Sequence, residues 1–239
     1  MKKLFLSVLI LSASASFCVA QKTIQDLNVE KRTVGSFHGI TVATGVELVL
    51  TQGNVEEVAV SASKTEYRDH IITEVVDGVL KIHYETKTGA INRKGEDKNL
   101  KAYVSCKTLD KLNVETGATV EIDGVLSSAN LDLKANTGGI VNGKINITTL
   151  KVDQSTGSKI TLTGTADNVD VAGNTGSKFM SEELKTVQCS ANVNTGAKIF
   201  ITVEKELNVK ANTGGEVKYK GGAGIRDVKT RTGGSVSKI

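Results

Sequence analysis

Seven Thr-Gly pairs recur down the chain, at Thr116, Thr137, Thr156, Thr175, Thr195, Thr213 and Thr232. Their spacings are 21, 19, 19, 20, 18 and 19 residues. An earlier pair, Thr44-Gly45, has the same flanks. A fixed period near 19 restricts the fold more than any other feature, because self-similarity at that length is the mark of a stacked, solenoidal architecture.

The residues around each Thr say what is stacked. Four positions earlier stand Leu112, Leu133, Val152, Val171, Ala191, Val209 and Val228, all apolar. Two positions later stand Ala118, Gly139, Ser158, Ser177, Ala197, Gly215 and Gly234, all small. Four later, Val120, Val141, Ile160, Phe179, Ile199, Val217 and Val236 are apolar again. Lys, Asp, Asn and Glu fill most odd offsets. Alternation with period two marks half-buried strands, and β-branched residues suit such surfaces. The glycines after Thr (Gly117, Gly138, Gly157, Gly176, Gly196, Gly214 and Gly233) stand between two strand patterns. Lacking Cβ, they reach positive φ at no steric cost, so they are expected to turn the chain along one edge. Gly124, Gly143, Gly164 and Gly221 mark a second corner, and the chain has no Pro.

One such repeat cannot bury its own apolar face, whereas a stack of repeats can. The expected fold is all-β: a parallel β-helix with coils of about 19 residues, right-handed because parallel crossovers overwhelmingly are. Residues 111–239 should form the regular coils. Residues 21–110 read as irregular first coils, with strands in "FHGITVATGVELVLTQG", "VEEVAVSAS" and "GVLKIHYE" and one short helix within "KTEYRDHIIT". The polar stretch 86–100 reads as an exposed, mobile loop.

The ends and the composition narrow the setting. Residues 1–20 have Lys2 and Lys3, an apolar run from Leu4 to Leu11 and small residues up to Ala20. That is a secretory leader, with cleavage expected after Ala20. Phe17 is bulky for a signal that would acylate Cys18, which speaks against lipidation. No later segment is apolar enough to cross a membrane as a helix. Losing Lys2 and Lys3 takes the formal charge from +4 to +2, too little to argue for nucleic acid. Cys106 and Cys189 lie in alternating apolar stretches and read as small buried hydrophobes. With no Trp and few aromatic residues, a sugar-binding face of stacked rings is not expected.

The segments "FHGITVATGVELVLTQG", "DGVLKIHYE" and "LKAYVSCKTLDKLNVETGATVEIDG", in that order before the Thr-Gly ladder, resemble the putative auto-transporter adhesin, head GIN domain family of Bacteroidetes. The resemblance covers about residues 33–236. It implies an exported β-helix-like protein with a role in adhesion, and it brings no catalytic residues. The membrane barrel of an auto-transporter needs many alternating strands with aromatic girdles, which this sequence does not display, so periplasm and cell surface both stay open.

β-Helices also host polysaccharide lyases and hydrolases, which need clustered carboxylates. Five before each Thr stand Lys111, Asp132, Lys151, Asp170, Ser190, Asn208 and Asp227. That row reads either as a substrate groove or, since its first four charges alternate, as a ladder of cross-strand ion pairs. The second reading is preferred because no two carboxylates stack adjacently. An acidic cluster between the first coils and residues 86–100 would favour an enzyme.

His38, His70 and His83 have no metal-ligand spacing, and the parity of His38 reads as a wall or core position. "GGAGIRD" at 221–227 lacks the strand–helix setting of a phosphate loop. Asn136, Asn174, Asn194 and Asn212, one before Thr, read as a stacked amide ladder. Lys159, Lys178 and Lys198, three after Thr, would stack as like charges on successive coils. They read as a solvated face that resists edge aggregation, or as a stripe that contacts an acidic glycan or lipid headgroup of the envelope. The sequence thus reads as a non-enzymatic β-solenoid for adhesion or envelope contact, without cofactor or metal. A β-helix carbohydrate-active enzyme is the alternative. Open solenoid ends would permit an end-to-end homodimer.

Overall fold

The computed structural model describes residues 26, 28–85 and 96–239. The expected leader at 1–20, and residues 86–95 of the expected loop, lie outside the described residues. The chain forms a β-solenoid of about 7 turns with coils of about 19 residues. Its elements in order are β1 (Glu30–Arg32), β2 (Gly39–Val42), β3 (Glu47–Gln52), β4 (Glu57–Ser61), α1 (Thr65–Asp69), β5 (Ile71–Val76), β6 (Val79–Tyr84), β7 (Lys101–Cys106) and β8 (Lys111–Val114). Then come β9 (Thr119–Ala135), β10 (Ile140–Gln154), β11 (Lys159–Gly173), β12 (Lys178–Val193), β13 (Lys198–Ala211), β14 (Glu216–Lys220), β15 (Gly224–Thr230) and β16 (Ser235–Lys238).

From β9 to β16 the coils pair in parallel, each with the next. Register holds like residues over like. Leu112, Leu133, Val152, Val171, Ala191, Val209 and Val228 align into one inward column. All of these except Val228 are buried. The column of small residues after each corner has a direct cause, because the chain folds back beneath the bend. A Cβ on Gly139 would stand 2.3 Å from the Val114 carbonyl oxygen, and one on Gly234 would stand 2.1 Å from that of Ala211.

The corner itself uses both residues of the Thr-Gly pair. In the seven regular corners Thr has φ between 45° and 51°, and Gly between 70° and 77°. The residue before Thr accepts a backbone hydrogen bond from the small residue after Gly, at 2.9 to 3.2 Å. Positive φ at both central positions with this bond is a type I′ turn. The sequence pattern placed the bend on glycine alone. A β-branched residue in the left-handed region is an outlier, so the threonines carry strain that periodicity does not reveal. Each Gly N–H then donates to the Thr carbonyl of the next coil, from Gly45→Thr116 through Gly214→Thr232, at 2.9 to 3.1 Å.

Stacking order departs from chain order at the N-terminal end. β2, the corner at Thr44 and β3 sit directly on β8 and β9. The chain between them loops outward: β6 pairs with the far edge of β2, and β7 with the far edge of β3. β5 pairs antiparallel with β6, β4 with β7 and β1 with β4. This antiparallel layer covers the first coil. The expected short helix is α1, and the described residues of the polar stretch are tied rather than loose. Lys64 and Tyr67 bond Glu96. Ser63 donates to the carbonyls of Asp97 and Lys98, each at 2.9 Å. Asp26 anchors the cap from the other side, accepting from Tyr103 and from Ser61 (3.2 Å) and pairing with Lys101 at 3.2 Å. The Tyr103 hydroxyl, and then Lys101, hold its carboxyl below the ordinary 3.8.

Two predictions follow from this geometry. Gly157→Ala adds a Cβ at φ +70 with nothing within 4 Å, so only backbone strain opposes it, about 1 kcal/mol or more. Thr156→Asn should act the other way, since Asn tolerates this conformation and Asn-Gly is a favoured type I′ pair. For a protein of this size about 1 kcal/mol moves Tm by roughly 2–4 °C. Melting curves should place Thr156→Asn above wild type and Gly157→Ala below it; an asparagine variant that melts lower would mean that the strain assignment is wrong. Asp26→Asn should destabilise the cap at neutral pH. Because the folded-state pKa is depressed, the carboxylate's contribution is present above about pH 4 and is lost as pH falls through the lowered value. The difference in Tm from wild type should therefore close on acidification. A gap that does not narrow at all as pH falls below about 4 would exclude the ionised carboxylate as its source.

Candidate ligand-contact face

Parity sends the third residue after each Thr outward, and parallel register lines these residues up. Thr119, Ile140, Lys159, Lys178, Lys198, Glu216 and Ser235 form one outward column. Lys159, Lys178 and Lys198 are therefore adjacent, at the strand spacing of about 4.8 Å. They are not equivalent. Lys198 Nζ lies 3.0 Å from Glu216 Oε2, and Lys218 Nζ lies 2.9 Å from the other oxygen of that carboxylate. Lys218 and then Lys198 hold the Glu216 carboxyl below its ordinary value. Lys159 and Lys178 are exposed and have no ion pair among the described residues. Two ammonium groups held at that spacing would repel by about 1 kcal/mol even in water.

A second outward column runs beside the lysines through Met180, Phe200 and Lys218. Met180 and Phe200 are half-buried on the outer surface. Lys218 Nζ lies 5.2 Å from the Phe200 ring centroid, within cation–π range. Sequence reasoning passed over this pair. The signal was present: each follows an inward apolar residue, Phe179 and Ile199, and so falls at outward parity. Met180 thus stands two residues after Lys178 on the same strand, and Phe200 two residues after Lys198 on the next.

The remaining candidates are less able to act. Lys111, Asp132, Lys151 and Asp170 stand in register on successive coils. None of the ion pairs found among the described residues joins them. The expected ion-pair ladder is thus absent among them; exposed pairs of this kind gain little, and Asp132 Oδ1 lies buried without a hydrogen-bond partner. Asn212 Nδ2 donates to Asn194 Oδ1 at 3.1 Å and Ser155 Oγ to Asn136 Oδ1, so the amide row is linked only in parts. His38 is exposed rather than a wall or core residue, with Nδ1 2.7 Å from Asp110 Oδ1. It lies just outside β2, where the coil begins and alternation does not yet apply. Burial pushes the Cys106 thiol up to about 11 and the Cys189 thiol up to about 12. Both are free and buried, which disables them as nucleophiles.

A cleft of about 280 Å³ lies between the first corner, at Thr44 and Gly45, and Glu47, Glu96, Asp97, Lys98, Asn99 and Leu100, so its three carboxylates share it with one ammonium group. Two of its carboxylates already serve the fold. Glu96 is held by Lys64 and Tyr67, and Asp97 Oδ1 accepts from the Asn99 N–H at 3.1 Å. Among the described residues no group of three or more His, Cys, Asp or Glu could hold a metal ion. No helix of the described residues is long and apolar enough to cross a membrane.

Comparison with known proteins places this architecture. The model of the family described as "Putative auto-transporter adhesin, head GIN domain" matches residues 36–223. A putative adhesin from Bacteroides fragilis has a similar structure, with a TM-score of 0.76 at 19% identity over 88% of this chain and 96% of its own. A putative adhesin from Parabacteroides merdae gives 0.68 at 14% identity, over 88% and 95%. A protein described as a putative lipid binding protein, from Parabacteroides distasonis, gives 0.64 at 16% identity, over 88% and 96%. At such identities the likeness is one of fold. No curated protein matches the sequence.

Proposed function

Starting from the fact that the chain belongs to the putative auto-transporter adhesin, head GIN domain family, we propose that it is an exported, non-enzymatic contact protein of the cell envelope or surface. Its working surface is the patch of Lys159 and Lys178 beside Met180 and Phe200, and its ligand is an anionic glycan or another anionic envelope component. The observation that carries this reading is the pair of exposed, unpaired ammonium groups in register on a rigid sheet. An anion placed between them converts a repulsion into two attractions. A rigid frame adds to affinity, since little side-chain and backbone freedom is lost on binding. Surface electrostatics of this kind weaken as salt rises.

The test uses purified protein and a panel of acidic and neutral glycans. Wild type should bind acidic members in a salt-dependent way and leave every member intact. Lys159→Glu with Lys178→Glu should weaken binding at least tenfold while shifting stability by less than about 0.5 kcal/mol, because both side chains are solvated. Unchanged binding at low salt would remove the lysines from the site. Bond cleavage would replace the reading with the carbohydrate-active enzyme, and Glu47 in the cleft at the first corner would be the first residue to mutate. Protease treatment of intact cells separates surface from periplasm: surface protein is lost, and periplasmic protein survives.

A further inference from the structure

β15 and β16 form the last described coil, and each hydrogen-bonds along one edge only, β15 to β13 and β16 to β14. Every residue of β15 is exposed. Ile225 and Val228 continue the columns of Leu207 and Val209. Leu207 and Val209 are 0% and 2% exposed, whereas Ile225 and Val228 are 50% and 40% exposed. The opposite end of the rod is covered by its antiparallel layer. We propose that this coil is an interface for a second copy of the chain, docked end to end about a two-fold axis, with the two β15 strands antiparallel and crossing at Val228.

The facing of the side chains and the charges select this register. Two copies that meet by the same edge about a two-fold axis must pair antiparallel. Directly opposed residues in such a pair face the same way. Ile225, Val228 and Thr230 register with the buried Leu207, Val209 and Ala211, and so face inward. Asp227 and Lys229 register with Asn208 and Lys210, on the outer side. A crossing between two residues would set inward side chains against outward ones, so the crossing falls on a residue. At Asp227 it would oppose two identical carboxylates, and at Lys229 two identical ammonium groups; like charges directly opposite are destabilising. At Val228, valine meets valine, and Asp227 of each copy meets Lys229 of the other. Asp227 and Lys229 already pair within one chain at 3.0 Å, so the four charges would close a compact network. Arg226 is kept out of it by Glu206, whose two oxygens lie 3.1 and 3.0 Å from its Nη1. The dimer sets two rods end to end and doubles the number of lysine columns.

Light scattering coupled to gel filtration, over a range of concentrations, should show twice the monomer mass at high concentration. In the crossing proposed, opposed Cα atoms lie about 4.5–5.5 Å apart, within disulfide range. Val228→Cys in the chain from Gln21 onward, treated with diamide, should give a covalent dimer on a non-reducing gel, and the thiols of Cys106 and Cys189 are buried and stay silent. Asp227→Lys should weaken dimerisation at least tenfold without lowering Tm, and adding Lys229→Asp should restore it. A monomer at every concentration overturns the proposal. So does a dimer that Val228→Cys fails to link, or one that the charge reversal leaves unchanged, since its partner surface or register would be different.

Discussion

The hydrogen bond from each corner Gly N–H to the Thr carbonyl of the next coil holds the stacking in step. In a two-residue turn the central N–H and C=O groups point out of the turn and usually meet water. Here they meet each other, from coil to coil, at 2.9 to 3.1 Å. That bond requires every corner to lie directly above the next, which keeps coil length near 19 and each inward residue in its column. The small residue two after Thr belongs to the same device: a Cβ on Gly139, Gly215 or Gly234 would strike the backbone beneath the bend, and at the other corners the fully buried Ala118, Ser158, Ser177 and Ala197 leave room for nothing larger than a short side chain. Coils that depart from the average length absorb the difference away from this corner. The register shifts lie at Gly143/Lys144, Ile160/Gly164, Ser181/Lys185, Thr186/Gln188 and Leu207/Asn208, on the strand segments.

The two ends of the rod solve the edge problem differently. A parallel coil exposes unpaired backbone groups at both ends. At one end the chain leaves the stack after β3, builds β4 to β7 and α1, and returns at β8. The excursion lays antiparallel strands over the first coil and pins them through Asp26, Tyr103 and Lys101. At the other end β15 and β16 are exposed. Lys238 registers with the inward Tyr219, and a charge at an inward position makes indiscriminate strand addition unfavourable.

On the outer surface, register converts sequence period into electrostatics. Residues about 19 apart become neighbours, so a repeated lysine becomes a column of positive charge and a single glutamate can quench its end. Glu216 does this for Lys198 and Lys218. Lys159 and Lys178 are left with no such partner, beside the strip of Met180 and Phe200. Of the carboxylates near the first corner, Glu96 ties the cap through Lys64 and Tyr67, and Asp97 closes its own turn with the Asn99 N–H.

The period, the inward columns and the place of each corner were legible in the sequence, because they follow from local patterning repeated until chance is excluded. The stacking of Lys159, Lys178 and Lys198 was legible for the same reason: equal offsets from a fixed corner become equal positions on adjacent coils. Other features were decided only by tertiary structure. Thr in the left-handed region is invisible to pattern, since local preference opposes it and only the inter-coil hydrogen bonds impose it. The covering of β2 and β3 by a later part of the chain depends on edges that no local signal describes. His38 came out exposed because its parity was read in a strand that had not yet begun. The inequality of the lysines depends on Glu216, a residue 18 positions beyond Lys198 in the chain but one strand away in space. Sequence determines which residues share a column; which of them are neutralised, strained or left open is settled by what the fold brings alongside, since ion pairing and hydrogen bonding act across a few ångströms of space and not along the chain.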